Sequence, residues 1–189
     1  MKRIVIFASG SGSNAEQIIK SFKNSSYIQI MSVLSNKKEA GIFERCKRLN
    51  VPCELFSRKE FSHSEVILNR LKKEADYIIL AGFLWKIPES IVQAFPNRII
   101  NIHPALLPKY GGKGMYGMHV HRAVKENQEK ETGITIHFVN EHYDEGGIIF
   151  QTTTALSSTD TPEDIAQKIH TLEYEHFPRI IEETILKNG

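Results

Sequence analysis

The opening of the chain constrains its fold more than any other feature. Ile4-Val5-Ile6-Phe7-Ala8 is an apolar, largely β-branched run that breaks directly into Ser9-Gly10-Ser11-Gly12-Ser13-Asn14-Ala15, where helical spacing begins. The run falls far short of the roughly 20 residues of a membrane span. It ends in a glycine turn, so it reads as a first strand and not as a signal peptide. A strand that turns through glycine into a helix is the first half of a βαβ unit, the crossover that parallel strands need.

The rest of the sequence keeps that alternation. Strands are expected near Arg3–Ala8, Ile28–Leu34, Tyr77–Ala81, Arg98–Ile102, Gly133–Val139 and Gly147–Thr153, with a short one near Cys53–Phe56. Helices are expected near Asn14–Lys23, Ala40–Leu49, Ser64–Glu74, Glu89–Ala94, His119–Asn127 and Pro162–Leu186. The pattern predicts an α/β fold with a mostly parallel sheet. The last helix carries its own start signal: Thr161 as N-cap, Pro162 at the first position, then Glu163 and Asp164 in the first turn. Two strands joined through Tyr143-Asp144-Glu145-Gly146-Gly147 read as an antiparallel hairpin.

With 41% hydrophobic and 24% charged residues, the 189-residue chain is expected to form a single domain, residues 1–189, with a core that needs neither disulfides nor metal. Cys46 and Cys53 are its only cysteines, which argues against a disulfide framework and suits a reducing cytoplasm. A net charge of +2 without a long basic run gives no sign of a nucleic-acid partner. No membrane partner is expected either.

Four places could carry chemistry. In Ser9–Ala15, the glycines allow a tight turn and the following helix offers free N–H groups to an anion. The letters also fit a dinucleotide fingerprint, but Ser35-Asn36-Lys37-Lys38 ends strand two without the carboxylate such a site uses. A phosphate cradle is therefore preferred over a dinucleotide site, with a plain βα turn as the other reading. Asn101 and His103 stand two apart at a strand end, on one face, where open α/β sheets bind ligands. An amide donor beside a proton-exchanging imidazole suits attack on a carbonyl, although a lone His is more often a structural hydrogen-bonder. Asp144 is a turn former unless the hairpin carries it to His103, where an anion would raise the imidazole pKa. Glu173 lies on the apolar side of the last helix, either bonding substrate hydroxyls or reaching the rim. His119 and His121 form an H-x-H pair without further ligands at metal spacing, so no metal is expected.

Taken together, the G-S-G-S-N turn, Leu80-Ala81-Gly82-Phe83, the run Asn101-Ile102-His103-Pro104-Ala105-Leu106-Leu107-Pro108 and the Asp144 turn resemble the folate-dependent formyltransferase family over essentially the whole chain. The N-I-H-P-x-L-L-P run is the specific part. The resemblance implies a Rossmann-like formyltransferase fold: a mainly parallel seven-stranded sheet flanked by helices, with a C-terminal hairpin and long helix. It implies Asn101, His103 and Asp144 as catalytic, Gly12, Ser13 and Asn14 as the phosphate loop, and Glu173 at the ribose. It puts the folate at Leu84, Trp85, Lys86 and Ile87, with Asn101. The implied reaction moves a formyl group from N10-formyltetrahydrofolate to the amine of glycinamide ribonucleotide in de novo purine biosynthesis, without metal. In it, Asn101 and a protonated His103 stabilise the oxyanion, and Asp144 keeps the ring charged.

Two departures from the family pattern stand out. The stretch Gly111–His121 is longer than the P-G-x-H-T-H of relatives, and Ser62-His63-Ser64-Glu65 lacks the arginine that some use for folate. The neighbouring activities, a formyltetrahydrofolate hydrolase and a methionyl-tRNA formyltransferase, ordinarily add a further domain, which is not expected in these 189 residues. A nucleotide-binding module without catalysis would keep the glycine turn but have no need of Asn101, His103 and Asp144 together.

Overall fold

The computed structural model describes residues 1–63 and 65–188. Ser64, where the helix expected over Ser64–Glu74 begins, and the terminal Gly189 lie outside the described residues. The chain opens with β1 (Lys2–Phe7), α1 (Ser13–Phe22), β2 (Ile28–Ser35), α2 (Ile42–Leu49) and β3 (Cys53–Leu55). It continues through α3 (Arg58–Ser62), α4 (Val66–Glu74), β4 (Tyr77–Leu80), α5 (Glu89–Ala94) and β5 (Ile99–His103). It closes with α6 (Met118–Glu126), β6 (Glu131–Phe138), β7 (Ile148–Ala155) and α7 (Pro162–Asn188).

The strands form one seven-stranded sheet in the order β3-β2-β1-β4-β5-β6-β7. The first five of that order run parallel, and β6 and β7 add an antiparallel edge. β1 sits inside the sheet with helices on both faces, which is why its sequence is an unbroken apolar run. Its alternate residues feed the two cores. Ile4, Ile6 and Ala8 pack with α1, α6 and α7 residues such as Ile18, Val124 and Phe177. Val5 and Phe7 pack on the opposite face with Leu71 of α4, Ile91 of α5 and the rings of Phe56 and Phe61.

The N-terminal signal of α7 works as its residues suggest: the Thr161 hydroxyl accepts from the Asp164 N–H (3.1 Å), and the Asp164 carboxylate accepts from the Thr161 N–H (2.8 Å). Of the elements, α3 is the one the sequence reading missed. It starts with a capping box, Ser57 accepting from the Glu60 N–H while the Glu60 carboxylate accepts from the Ser57 N–H. Its S-x-x-E spacing was legible, but five residues give too little helical period to notice. Cys46 and Cys53 are free thiols. No helix among the described residues is long and apolar enough to cross a membrane.

Candidate active site

A cavity of about 620 Å³ opens at the carboxyl ends of β1, β4 and β5. The sheet order reverses between β1 and β4, so the loops leaving these strands part there and leave a crevice. Ser9–Asn14, Ala81–Leu84 and Asn101–Pro104 line it from the sheet, Gly112–Gly117 and Tyr143–Asp144 from the loops, and His121, His170 and Glu173 from the helices.

The glycine turn leaves the start of α1 without a side-chain cap. Gly12 adopts φ 76° and caps α1 without a side-chain acceptor, so the first-turn N–H groups have no side-chain partner. A Cβ on Gly12 would sit 2.5 Å from Ile42 of α2. Behind the turn, Arg45 donates to the Ser11 carbonyl (2.7 Å) and pairs with the buried Glu16, which also binds Arg48 and Lys20. The Ser9 hydroxyl donates to Asn36 and accepts from the Leu84 N–H, tying the turn to the segment after β4.

Strand alternation puts Asn101 and His103 on one face of β5, opposite His137 and Thr135 of β6. The hairpin brings Asp144 to them: its carboxylate lies 3.6 Å from His103 Nδ1 and 3.6 Å from His137 Nε2, and it accepts from the Gly112 N–H at 2.9 Å. His103 Nε2–H donates to the Tyr110 carbonyl at 2.7 Å, which leaves Nδ1 toward Asp144. His137 donates through Nδ1 to the Phe138 carbonyl, so its Nε2 accepts from the Asn101 amide at 3.0 Å. His137 escaped the sequence reading. The available signal was its alternation with Thr135 on the same strand face.

The expected charge on His103 is corrected here. Burial of the ring outweighs the attraction of Asp144 and holds His103 below its ordinary value. Burial alone would raise the Asp144 carboxyl, but the polar groups around it, the Gly112 N–H among them, hold it below the usual range.

Glu173 is 5% exposed and does not reach the rim as a free carboxylate. It accepts from Asn14 Nδ2 and His170 Nδ1, both at 2.9 Å, and so ties α7 to the glycine turn. That hydrogen bond raises the His170 pKa. His170 was not singled out in the sequence, although its i,i+3 spacing to Glu173 was visible.

The expected folate segment divides. Leu84 lines the cavity, whereas Trp85, Lys86 and Ile87 do not. Ile87 belongs to the core. Trp85 joins the rings of Phe56, Phe61 and Phe83, with the Arg58 guanidinium 5.2 Å over it. Lys86 lies over Tyr143, a cavity residue. The His119 and His121 pair separates: His119 stacks edge-on with Tyr116 and His121 is buried.

The formyl transferase family model matches residues 2–181. The chain is 40% identical to the chloroplastic phosphoribosylglycinamide formyltransferase of Arabidopsis thaliana, covering 97% of this chain and 67% of that one. It is 34% identical to the Bacillus subtilis phosphoribosylglycinamide formyltransferase, covering 100% of this chain and 97% of that one. The crystal structure of the Bacillus halodurans phosphoribosylglycinamide formyltransferase superimposes with a TM-score of 0.87 at 32% identity, covering 100% and 97% of the two chains. By its sequence and its architecture, the chain belongs to the formyl transferase family, among the phosphoribosylglycinamide formyltransferases.

Proposed function

We propose that the protein transfers the formyl group of N10-formyltetrahydrofolate to the amine of glycinamide ribonucleotide, a step of de novo purine biosynthesis. One observation carries the reading: an uncapped helix N-terminus and the Asn101, His103 and Asp144 side chains share one cavity. The phosphate sits at Gly12, Ser13 and Asn14, where unpaired N–H groups favour an anion. Glu173 takes the ribose, and the folate lies toward Leu84, the residue of the Leu84–Ile87 segment that lines the cavity.

The substrate amine attacks the formyl carbon, and the oxyanion that forms is held by the Asn101 amide. A neutral His103 accepts the proton that the attacking nitrogen sheds. Asp144, 3.6 Å from Nδ1, stabilises the imidazolium as it forms. The same proton then goes to N10 as the carbon–nitrogen bond to the folate breaks. No covalent enzyme intermediate is needed, and His103 ends as it began.

The test is an assay with both substrates that follows tetrahydrofolate release and formylation of the amine. Release without formylation would make the protein a hydrolase. No release with folded protein would sink the reading.

A further inference from the structure

His121 stands apart from the residues already assigned. It lies on α6, is 3% exposed and lines the same cavity as Asn14, His103 and Glu173. Its Nδ1 is sealed from solvent and has no hydrogen-bond partner among the described residues. Orphaned buried nitrogens are rare, because an unmade hydrogen bond costs the full desolvation of the group. Because Nδ1 stays sealed, a ligand of this ring can meet only its other nitrogen, Nε2, from the cavity that the ring lines.

The tautomer follows from the burial. A sealed N–H without a partner is rarer than a sealed acceptor without one, so the proton belongs on Nε2, the nitrogen open to the cavity. The ring shares the cavity with Glu173 and His170 and with His103. Burial pushes its pKa down to about 4, so the ring is neutral throughout the range where a formyl transfer would run.

We infer that His121 is a substrate-binding residue whose Nε2–H donates to an uncharged oxygen of the nucleotide, between its phosphate and its amine. A neutral donor suits a neutral acceptor and leaves the phosphate to the glycine turn. This inference rests on the proposed activity, and its test separates the two.

The experiment compares wild type with His121→Phe and His121→Gln. Phe removes both nitrogens at similar shape, and Gln keeps an N–H donor. The expected result for His121→Phe is about a tenfold rise in KM and in Kd for glycinamide ribonucleotide, the worth of one neutral hydrogen bond. Its KM for the formylfolate stays near wild type, and its unfolding temperature is unchanged or higher because the orphan nitrogen is gone. His121→Gln recovers part of the affinity. In wild-type protein the ¹⁵N resonance of Nε2 shifts when the nucleotide is added, whatever the variants do. An active wild type with unchanged nucleotide affinity in His121→Phe and an unmoved Nε2 resonance overturns the His121 assignment alone. A wild type that neither binds nor formylates the nucleotide takes the proposed activity down with it.

Discussion

At His103 two effects compete: burial favours the neutral ring and the Asp144 carboxylate favours imidazolium, and the ring ends below its ordinary value. The sign of the pH dependence follows. Below about pH 6.5 the unfolded chain takes the proton that folded His103 refuses, so this residue lowers stability as pH falls toward its folded value. His170 has the opposite sign. Glu173 raises it, so its contribution is complete below the unfolded value and is lost as pH rises through the folded one. Asp144→Asn removes the largest of the groups that favour the His103 imidazolium, ahead of the Tyr110 carbonyl and Glu173, so histidine NMR titration should show the His103 pKa falling further. Turnover should drop by about 10²-fold or more, as for a weakened acid–base group, with nucleotide affinity nearly kept. An unmoved His103 titration in folded protein would reduce Asp144 to a turn residue, a role its φ of 55° also fits. Asn101→Ala should cost about 10²–10³ in turnover if its amide serves the oxyanion, and a change confined to KM would refute that role.

Among the elements, α1 and its turn do the most for the site. Asn14→Asp would set a carboxylate at the helix N-terminus and beside Glu173, which Asn14 now bonds. Nucleotide binding should weaken severely while the affinity for a folate analogue holds, because the added charge opposes only the phosphate. Calorimetric titration with each ligand separates these outcomes, and equal loss of both would indicate misfolding. The loop between β5 and α6 is the family departure seen in the sequence. Its Gly112, Gly114 and Gly117 take positive φ, and the segment forms one wall of the cavity. A chain that turns this often in so few residues favours glycine, the residue with the least steric objection to those angles.

For the whole molecule, α7 is the lock. It crosses from the hairpin to α1, buries Phe177 completely and carries Glu173 to the glycine turn. Phe177→Ala should cost about 3–5 kcal/mol of stability, read from urea unfolding, and a loss under 1 kcal/mol would mean that the cavity collapses freely. Much of this architecture was legible in the sequence because it is locally encoded. The apolar run of β1, the Thr161 start of α7 and the shared face of Asn101 and His103 follow from strand and helix periods and from caps, which depend on near neighbours. The chain distance from His103 to Asp144 carries no such local signature. Only the sheet order and the hairpin register bring them within 3.6 Å. The same holds for the packing of Trp85 among Phe56, Phe61 and Phe83, for the part that His137 plays beside Asn101, and for the orphan nitrogen of His121. The lowering of the His103 pKa was likewise decided in three dimensions. Spacing names the charges that can meet, but the balance between their attraction and desolvation depends on how much water the fold removes.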